Sequence, residues 1–446
     1  MRLEGNAMTL KEQAREMIPG ILKMSMPDGA MTEALRRVKF GTGRVVLIAV
    51  GKSAWQMASV AHAALGSTID QGIVITKYGH GKGPLPNTVC FEAGHPIPDQ
   101  NSFRATQAAM EAVAPLTARD TVLFLLSGGG SALFEKPLVP PEQLESITGQ
   151  LLACGADIVE INTIRKRLSG VKGGRFAACC APARVINLIL SDVLDDRVDS
   201  IASGPTCADT TTSAQAEAIV EKYGLSLSDE ARALIRTDPP REIPPTETTI
   251  VGSVAMLCEA AAKICRDLGY QTTVLTDHLD GEARQIGTML ANIGRYWSKK
   301  PGKHAFIAGG EPVVYLTGKG KGGRNQELAL SAAAGIAGLS NTVLFSLGSD
   351  GTDGVTDAAG GIVDGSTARI LAQKGIRIYD VLRDNDSYHA LAQCDGLIIT
   401  GATGTNVNDV VVLLTDNPQQ SVTGNSEDPS TPSAGCAHER TAKGMG

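Results

Sequence analysis

Short runs of consecutive apolar residues recur along the first half of the chain, and between them apolar residues return every three or four positions. The runs predict buried strands, at residues 45–50, 72–76, 121–126 and 184–190. The intervening segments predict helices, among them residues 53–65 and 102–113, and a helical stretch at residues 9–38 broken near Pro19 and Pro27. Apolar strands that alternate with helices favour a mostly parallel sheet covered on both faces.

The proline-rich segment at residues 237–246 can continue neither a helix nor the interior of a strand. We therefore predict a domain boundary there, between a first domain at residues 1–240 and a second domain at residues 247–415. Beyond the boundary the alternation resumes, with strands predicted at residues 248–251, 271–275, 304–308 and 312–317. The predicted fold class is α/β, with two α/β/α domains whose mostly parallel sheets are Rossmann-like.

Residues 416–446 differ in composition from the rest of the chain. They are rich in Ser, Thr, Pro, Asn and Gly and contain almost no large apolar side chains. Because such a segment cannot bury a core, we expect it to be a disordered tail.

Charge and cysteine content limit the classes of partner. The net charge of −6 disfavours general nucleic-acid binding, which relies on a basic surface. The nine cysteines show no C-x-x-C spacing, which is typical of reduced cysteines. No apolar run reaches the length of a secretory or membrane-spanning segment. We therefore expect a cytoplasmic protein without a nucleic-acid or membrane partner, and a homo-oligomer remains possible.

Glycine makes up 50 of the 446 residues, and four glycine-rich loops follow predicted strands. Ligands of open parallel sheets bind at the carboxyl ends of the strands, so these loops are the first candidates for a site. The first loop places Gly51 and Lys52 at the start of a helix. It is not a P-loop, because the glycine that this motif requires is replaced by Val46. Lys52 suits a bound anion at the helix N-terminus, and a solvated surface lysine is the alternative.

The second loop follows the predicted strand at residues 121–126. Its candidate phosphate-binding residues are Ser127, Gly128, Gly129, Gly130 and Ser131. Consecutive glycines expose backbone N–H groups and let a ligand approach closely. A flexible surface loop is the alternative, but the position after a strand favours an anion cradle.

The third loop contains a G-x-G-x-x-G match at Gly318, Gly320 and Gly323, which is the fingerprint of dinucleotide binding. However, three cations lie within six residues there, and this charge better suits a triphosphate. The acidic residue expected about 20 residues further on is also displaced. We therefore predict a triphosphate or phosphoryl site at Gly320, Gly322, Gly323, Arg324 and Asn325.

The fourth loop, residues 348–357, brings several carboxylates to the end of a predicted strand. Asp350 and Asp353 are candidates for magnesium binding, since Mg²⁺ prefers oxygen ligands and shares them with phosphate oxygens and water. A run of Asx turns is the alternative. Asp192, after the strand at residues 184–190, is a candidate general base, and His95 is either a substrate-positioning residue or a turn histidine.

The two halves of the chain share an order of motifs. A glycine pair, a K-G-G-R tetrapeptide and a Ser-Asp pair occur at residues 128–129, 172–175 and 191–192, and again at residues 309–310, 321–324 and 349–350. The order suggests an internal duplication, which predicts two sheets with matching strand orders.

Several strings together resemble one family, in the same order along the chain. They include G-H-P-I-P-D at residues 94–99, S-G-G-G-S-A at 127–132, N-T-I-R-K-R-L-S at 162–169, G-K-G-G-R-N-Q-E-L at 320–328 and T-G-T-N-V-N-D at 403–409. The family is the bacterial and animal glycerate 2-kinases, whose C-terminal half is called the MOFRL domain. The resemblance spans roughly residues 9–414.

The resemblance implies transfer of the γ-phosphoryl group of ATP to the 2-hydroxyl of D-glycerate, with Mg²⁺, in a cleft between two α/β domains. It also implies functional roles for Lys52 and Arg324, whose cationic groups suit an anionic phosphoryl group. Two alternatives remain open. One is an NAD(P)H-dependent hydroxypyruvate reductase, which the match at residues 318–323 would support, and the other is a non-catalytic sugar-phosphate-binding module.

Overall fold

The computed structural model describes residues 8–240 and 242–417, which form two six-stranded sheets covered by helices. The first sheet consists of β1 (Val45–Val50), β2 (Gln71–Lys77), β3 (Thr88–Ala93), β4 (Thr121–Leu126), β5 (Arg184–Leu190) and β6 (Thr246–Gly252). The second consists of β7 (Gln271–Leu279), β8 (Gly302–Gly310), β9 (Thr342–Gly348), β10 (Gly360–Asp364), β11 (Leu397–Ile398) and β12 (Asp409–Asn417).

Sixteen α-helices lie within the described residues and cover or connect these strands. Those before residue 240 are α1 (Leu10–Met24), α2 (Pro27–Arg37), α3 (Ala54–Leu65), α4 (Gln100–Val113), α5 (Gly130–Leu133), α6 (Pro141–Ala153), α7 (Ile158–Arg167), α8 (Arg175–Cys180), α9 (Ser213–Tyr223) and α10 (Asp229–Ile235). Those after it are α11 (Val254–Asp267), α12 (Ala283–Trp297), α13 (Arg324–Gly335), α14 (Thr367–Gln373), α15 (Ile378–Arg383) and α16 (Ser387–Ala392). Among residues 8–240 and 242–417, no helix combines the length and apolar character needed to cross a membrane.

The first sheet has the strand order β3-β2-β1-β4-β5-β6, and all of its neighbouring strands are parallel. Every residue of β1 and β4 is buried, as expected for apolar strands covered by helices on both faces. The order reverses between β1 and β4, and ligands of such sheets bind at this switch point. The loops after β1 and β4, which contain Lys52 and Gly128, therefore meet at the expected position of a site.

The second sheet has the order β11-β10-β9-β12-β8-β7, and only β7 and β8 pair in parallel. The predicted α/β class is confirmed, and six of the ten strand pairings are parallel. A mostly parallel arrangement nevertheless holds only for the first sheet. One reason is that no helix connects β9 to β10, and a parallel neighbour would need such a crossover. Because the two strand orders differ, the predicted duplication is wrong.

The proline-rich segment at residues 237–246 leads into a strand of the first sheet, because β6 pairs with β5. The strand predicted at residues 248–251 therefore exists, but it belongs to the first sheet. Conversely, α1 packs on the second half of the chain, where Arg15 donates to the backbone oxygens of Asp395 and Leu397. The domain ranges 1–240 and 247–415 thus stay a prediction, and each sheet receives chain from the other side of the linker.

Three further predictions can be compared with the described residues. The strand predicted at residues 312–317 is wrong, since only Val313 forms an isolated bridge, with Glu282. The break predicted near Pro19 is absent, because α1 continues through this residue and ends at Met24. Asp416 and Asn417 complete β12, and the rest of the predicted tail lies outside the described residues.

A single apolar cluster joins the two sheets. It contains Leu47 of β1 and Met57 of α3 from the first half, together with Leu257 of α11 and Ile307 of β8 from the second. All four side chains are fully buried. The loops of both sheets are therefore held in fixed positions relative to each other by a shared core.

Candidate functional site

The loops after β1 and β4 are hydrogen-bonded to each other. The Lys52 N–H donates to the Gly128 carbonyl oxygen at 2.9 Å, and the Ser53 N–H donates to Ser127 Oγ at 3.0 Å. Gly51 has a φ of +122°, and a Cβ there would lie 2.2 Å from Ser127 Oγ. Only glycine permits this approach, which fixes Lys52 beside the second loop.

The second loop presents unpaired backbone donors. Within the described parts of the chain, the N–H groups of Gly129, Gly130 and Ser131 form no hydrogen bond to another residue. They are available to an anion, as predicted from the consecutive glycines. Ser127 is different, because its side chain is fully buried and its hydroxyl is used by the first loop.

Asp192 and Asn406 both lie against Gly128. A Cβ on Gly128 would be 2.1 Å from Asp192 Oδ2 and 2.3 Å from Asn406 Nδ2. Burial raises the pKa of Asp192 to about 6, although the charge of Lys52 opposes the shift. A carboxylate with a pKa near neutrality, beside a lysine and at the switch point of the sheet, has the properties of a general base.

His95 lies on the other side of the second loop. A Cβ on Gly129 would be 3.1 Å from His95 Nε2 and 3.3 Å from Lys52 Cγ. Burial, together with the charges of Lys52 and Lys77, lowers the pKa of His95 to about 4. The imidazole is therefore neutral at physiological pH, and each ring nitrogen can form a hydrogen bond but carries no charge.

A cavity of about 630 Å³ opens beside Asn406, the residue that contacts Gly128. Its volume falls in the range of about 300–1,000 Å³ that small-molecule sites occupy. One wall is apolar and is formed by Pro312, Val313, Val314, Leu316 and Val355. The polar part of its lining includes Arg324, Asp350, Asn406 and Asp409. We call this space the large cavity.

Arg324 is the first residue of α13 and is held by two carboxylates. Its Nε donates to Asp409 Oδ2 at 2.5 Å and its Nη2 to Asp409 Oδ1 at 3.1 Å, while its Nη1 donates to Glu311 Oε1 at 2.7 Å. Burial raises the pKa of Asp409 to about 7, and Arg324 opposes this shift. The carboxylates hold the guanidinium at the wall of the large cavity.

Three glycines of the third loop, Gly318, Gly320 and Gly322, pack against the segment from Asp384 to Ser387, whereas Gly323 packs against Asp353. A Cβ on Gly320 would lie 2.4 Å from Asp386 Cβ, and a Cβ on Gly322 would lie 2.2 Å from Ser387 Oγ. The backbone N–H groups of residues 317–321 donate to Asp384, Asn385 and Asp386. Among the described residues, no partner accepts from the N–H groups of Gly322, Gly323 and Arg324. The predicted phosphate contacts are therefore restricted to the N-terminus of α13.

Asp353 and Asn325 hold this helix terminus in place. Asp353 accepts hydrogen bonds from the backbone N–H groups of Asn325 and Gln326, at 3.1 and 2.9 Å, and from both of their side-chain amides. The Asn325 side chain also accepts from Ser346 Oγ at 2.5 Å. The carboxylate thus caps α13 and has little capacity left for a ligand.

Asp350 is the carboxylate of the fourth loop that shares a cavity lining with Lys52 of the first half of the chain. Its Oδ1 accepts from the N–H and the hydroxyl of Thr352, both at 3.0 Å, which is an Asx turn. It lines the large cavity and also a smaller cavity that contains Lys52. Of the two predicted metal ligands, Asp350 is therefore the one that faces both halves of the site.

The sequence predictions did not include three side chains of this site. Asp409 and Asn406 belong to T-G-T-N-V-N-D at residues 403–409. This string contributed to the family resemblance, but none of its residues was predicted to belong to the site. Glu311 follows β8 directly, where the rule for strand ends could have identified it. All three residues lie at or near an end of a strand, and this position could have identified them as candidates for the site.

Comparisons with known proteins identify both halves of the chain. A family model described as a domain of unknown function, DUF4147, matches residues 13–236, and one described as the MOFRL family matches residues 304–409. A relative from Thermotoga maritima named D-glycerate 2-kinase is 48% identical over 91% of this chain and 98% of its own length. A relative from Agrobacterium vitis named putative hydroxypyruvate reductase is 38% identical over 83% of this chain and 87% of its own length.

The fold is also similar to that of a solved structure. The crystal structure of a glycerate kinase from Thermotoga maritima superposes with a TM-score of 0.87 and 47% sequence identity, covering 91% of this chain and 99% of that one. The domain matches, the identities and this superposition agree with one another. This chain belongs to the MOFRL-domain glycerate 2-kinase family.

Proposed function

We propose that this protein is a glycerate 2-kinase, which transfers the γ-phosphoryl group of ATP to the 2-hydroxyl of D-glycerate and releases 2-phospho-D-glycerate and ADP. One observation carries the proposal beyond family membership. Asp192, with its raised pKa, lies against Asn406, a residue of the same large cavity that Arg324 lines. Arg324 thus faces a space large enough for a nucleotide, and the proposed base lies next to a residue that lines it.

The nucleotide occupies the large cavity. Leu316 and Val355 are each 83% exposed, although both lie in its apolar wall. Exposed apolar side chains that line a concave site are suited to the face of an adenine base. The unpaired N–H groups at the N-terminus of α13 then receive the phosphates, where the helix dipole favours negative charge.

Phosphoryl transfer requires little covalent chemistry from the protein. Asp192 accepts the proton of the 2-hydroxyl while the hydroxyl oxygen forms the new bond to the γ-phosphorus. The bond between that phosphorus and the bridging β,γ-oxygen breaks, and ADP leaves. Lys52 and Arg324 offset the negative charge on the transferring group, and the N–H groups of residues 129–131 orient its oxygens.

The donor set is compatible with Mg²⁺ bound together with the nucleotide. No group of three or more His, Cys, Asp or Glu side chains arranged for a metal ion occurs in the described part of the chain. Mg²⁺ does not need one, because it commonly uses one or two carboxylates and completes its shell with phosphate oxygens and water. Asp350 is our candidate ligand, since Asp353 is occupied by α13. A bound Mg²⁺ would offset charge on the phosphates.

The reductase alternative has weaker support in the site. Gly318 and Gly320 of the G-x-G-x-x-G match pack on Asp384 and Asp386, and their N–H groups are used by that segment. The third glycine, Gly323, packs on Asp353. No strand leads directly into this loop, since β8 ends at Gly310, whereas a dinucleotide fingerprint requires one. Because the Agrobacterium vitis relative is named a putative hydroxypyruvate reductase, the assay also measures reductase activity.

One assay separates the two activities. The protein is incubated with ATP, Mg²⁺ and D-glycerate while ADP is followed, and separately with NADH or NADPH and hydroxypyruvate while nicotinamide absorbance is followed. We expect ADP formation that depends on glycerate, without nicotinamide oxidation. The reverse result would contradict the kinase, and neither reaction would favour a binding module. A cytoplasmic location and a homo-oligomeric state remain predictions from the sequence.

A further inference from the structure

A second and smaller cavity, of about 190 Å³, adjoins Lys52 at the carboxyl ends of β1 and β2. We call it the lysine cavity. Its basic side is formed by Lys52, Lys77, His80 and Lys82, and the second half of the chain contributes Asp350 and Thr405. Four basic side chains within so small a space indicate a site for an anion.

The three lysines lack acidic partners. Lys52, Lys77 and Lys82 form neither a salt bridge nor a side-chain hydrogen bond with any other residue in the described ranges. Two neighbouring carboxylates have other partners. Glu92 accepts hydrogen bonds from the N–H groups of Gly79 and Gly81, both at 3.0 Å. Asp99 accepts a hydrogen bond from the Tyr78 hydroxyl at 2.6 Å. Unpaired cations crowded together repel one another, so the arrangement favours a bound negative charge.

The loop that carries Lys82 is fixed in position. His80 Nδ1 lies 3.0 Å from the Lys52 carbonyl oxygen, and Trp55 Nε1 donates to the Gly83 carbonyl oxygen at 2.9 Å. Together with Glu92, these contacts hold residues 79–83 over the start of α3. The backbone of this side of the cavity is therefore preformed, which reduces the entropy that binding would cost.

We propose that the lysine cavity binds the carboxylate of the acceptor, with Lys77 and Lys82 as the side chains that select a 2-hydroxy acid. This inference rests on the proposed kinase function and assigns the part of the site that recognises the acceptor. The cavity corresponds to about six water molecules at about 30 Å³ each, which suits a three-carbon acid and excludes a nucleotide.

This placement also accounts for the position that is phosphorylated. In glycerate the carbon that carries the 2-hydroxyl is bonded directly to the carboxylate carbon, whereas the 3-hydroxyl is one carbon further away. A carboxylate between Lys77 and Lys82 places the 2-hydroxyl near Lys52, which also lines this cavity. Besides offsetting charge on the transferring group, the positive charge of Lys52 opposes the rise that burial causes in the pKa of Asp192, the proposed base. The 2-hydroxyl then lies beside Lys52, whose backbone is hydrogen-bonded to Gly128, the glycine that Asp192 contacts.

The test combines two variants with two acceptors. Lys77→Met and Lys82→Met are compared with the wild-type protein on D-glycerate and on D-glyceramide, which keeps the 2-hydroxyl but has no negative charge. Lys299→Met, at an exposed lysine outside both cavities, is the matched control. Lys77→Arg keeps the charge and reports on any effect of packing at this half-buried position. Steady-state kinetics give KM and kcat for each acceptor and for ATP.

We expect KM for D-glycerate to rise roughly tenfold or more in both Met variants, the loss typical of a removed charge-assisted hydrogen bond. KM for ATP and kcat/KM for D-glyceramide should stay within about twofold of wild type, and Lys77→Arg should recover most of the loss. Equal losses on the two acceptors, or a parallel rise in KM for ATP, would overturn the proposal. A wild-type protein without glycerate-dependent ADP formation would instead overturn the kinase function itself. If Lys77→Met does not fold, the exposed Lys82 carries the test alone.

Discussion

The guanidinium of Arg324 lies in a bidentate contact with the carboxylate of Asp409, with 2.5 Å between Nε and Oδ2 and 3.1 Å between Nη2 and Oδ1. The two residues are 85 positions apart, one at the start of α13 and the other at the start of β12. Asp409 is almost fully buried, whereas a third of the Arg324 side chain is exposed to the large cavity. The contact therefore orients a cation toward the proposed position of the phosphates.

Arg324 should be required for turnover because its planar guanidinium can bind a carboxylate and a phosphate oxygen at once. We expect Arg324→Ala to lower kcat by about 100-fold or more, the scale of removing one stabilising donor. Arg324→Lys should recover little, since a lysine cannot form the bidentate contact. Arg295→Ala, which removes an exposed arginine bonded only to the Gly335 carbonyl oxygen, is the control. Near-normal kcat in Arg324→Ala, with an unchanged melting temperature, would remove this residue from the mechanism.

Asp192 should set the acid limb of the pH profile. Its pKa is raised to about 6, and a general base acts only when it is deprotonated, so kcat/KM for glycerate should fall as the pH drops through about 6. Asp192→Asn should abolish most of the activity at every pH. The control is Asp195→Asn, at an exposed side chain that contacts His278. An Asp192→Asn variant that keeps its activity and the same acid limb would show that another group is the base.

His95 should remain neutral across the physiological range. Burial and the neighbouring cations lower its pKa to about 4, so protonation is expected only below about pH 5. The measurement is an NMR titration of the ring nitrogens, with the His95→Gln variant used to assign the signal. A titration midpoint near 6.5, the ordinary value for histidine, would show that water reaches the His95 ring and that the ring is not buried.

Gly320 should be intolerant of a side chain for reasons of packing. A Cβ there would lie 2.4 Å from Asp386 Cβ and 2.6 Å from the Asp384 carbonyl oxygen. We expect Gly320→Ala to lower the free energy of unfolding by about 1–3 kcal/mol and to raise KM for ATP. Gly149→Ala is the matched control, because Gly149 lies inside α6 with no atom within 4 Å of the new methyl group. That variant should be neutral or more stable by up to about 1 kcal/mol. Equal stability of the two variants in denaturant unfolding would contradict the packing role.

The strands of the first sheet could be predicted from the sequence because their side chains are buried on both faces. The structure reproduces the predicted bounds of β1, β4 and β5, whose apolar runs have no competing interpretation. β3 was not predicted, because this edge strand is only partly buried and mixes polar with apolar residues. The opposite error occurred at residues 312–317, where a strand was predicted. Apolar residues of this segment line the large cavity and do not belong to a sheet.

The candidate site could be predicted only as a set of loops. The strand-end rule located Lys52, Gly128 and Asp192, because it depends on local sequence and on the topology of a parallel sheet. The partners of Arg324 could not be inferred, since Asp409 reaches it through an antiparallel strand of the second sheet. The function of Asp353 as a cap of α13 also depends on a contact between distant segments. Local patterns carry no information on such pairings.

The most direct test of the proposed glycerate 2-kinase activity is the position of the phosphate on the product. The purified protein is incubated with ATP, Mg²⁺ and D-glycerate, and the product is analysed by ³¹P NMR and by conversion with enolase, which accepts 2-phosphoglycerate but not 3-phosphoglycerate. We expect one phosphorylated product, 2-phospho-D-glycerate, formed in equal amount with ADP. Phosphate on the 3-hydroxyl, or no phosphorylated glycerate at all, would contradict it.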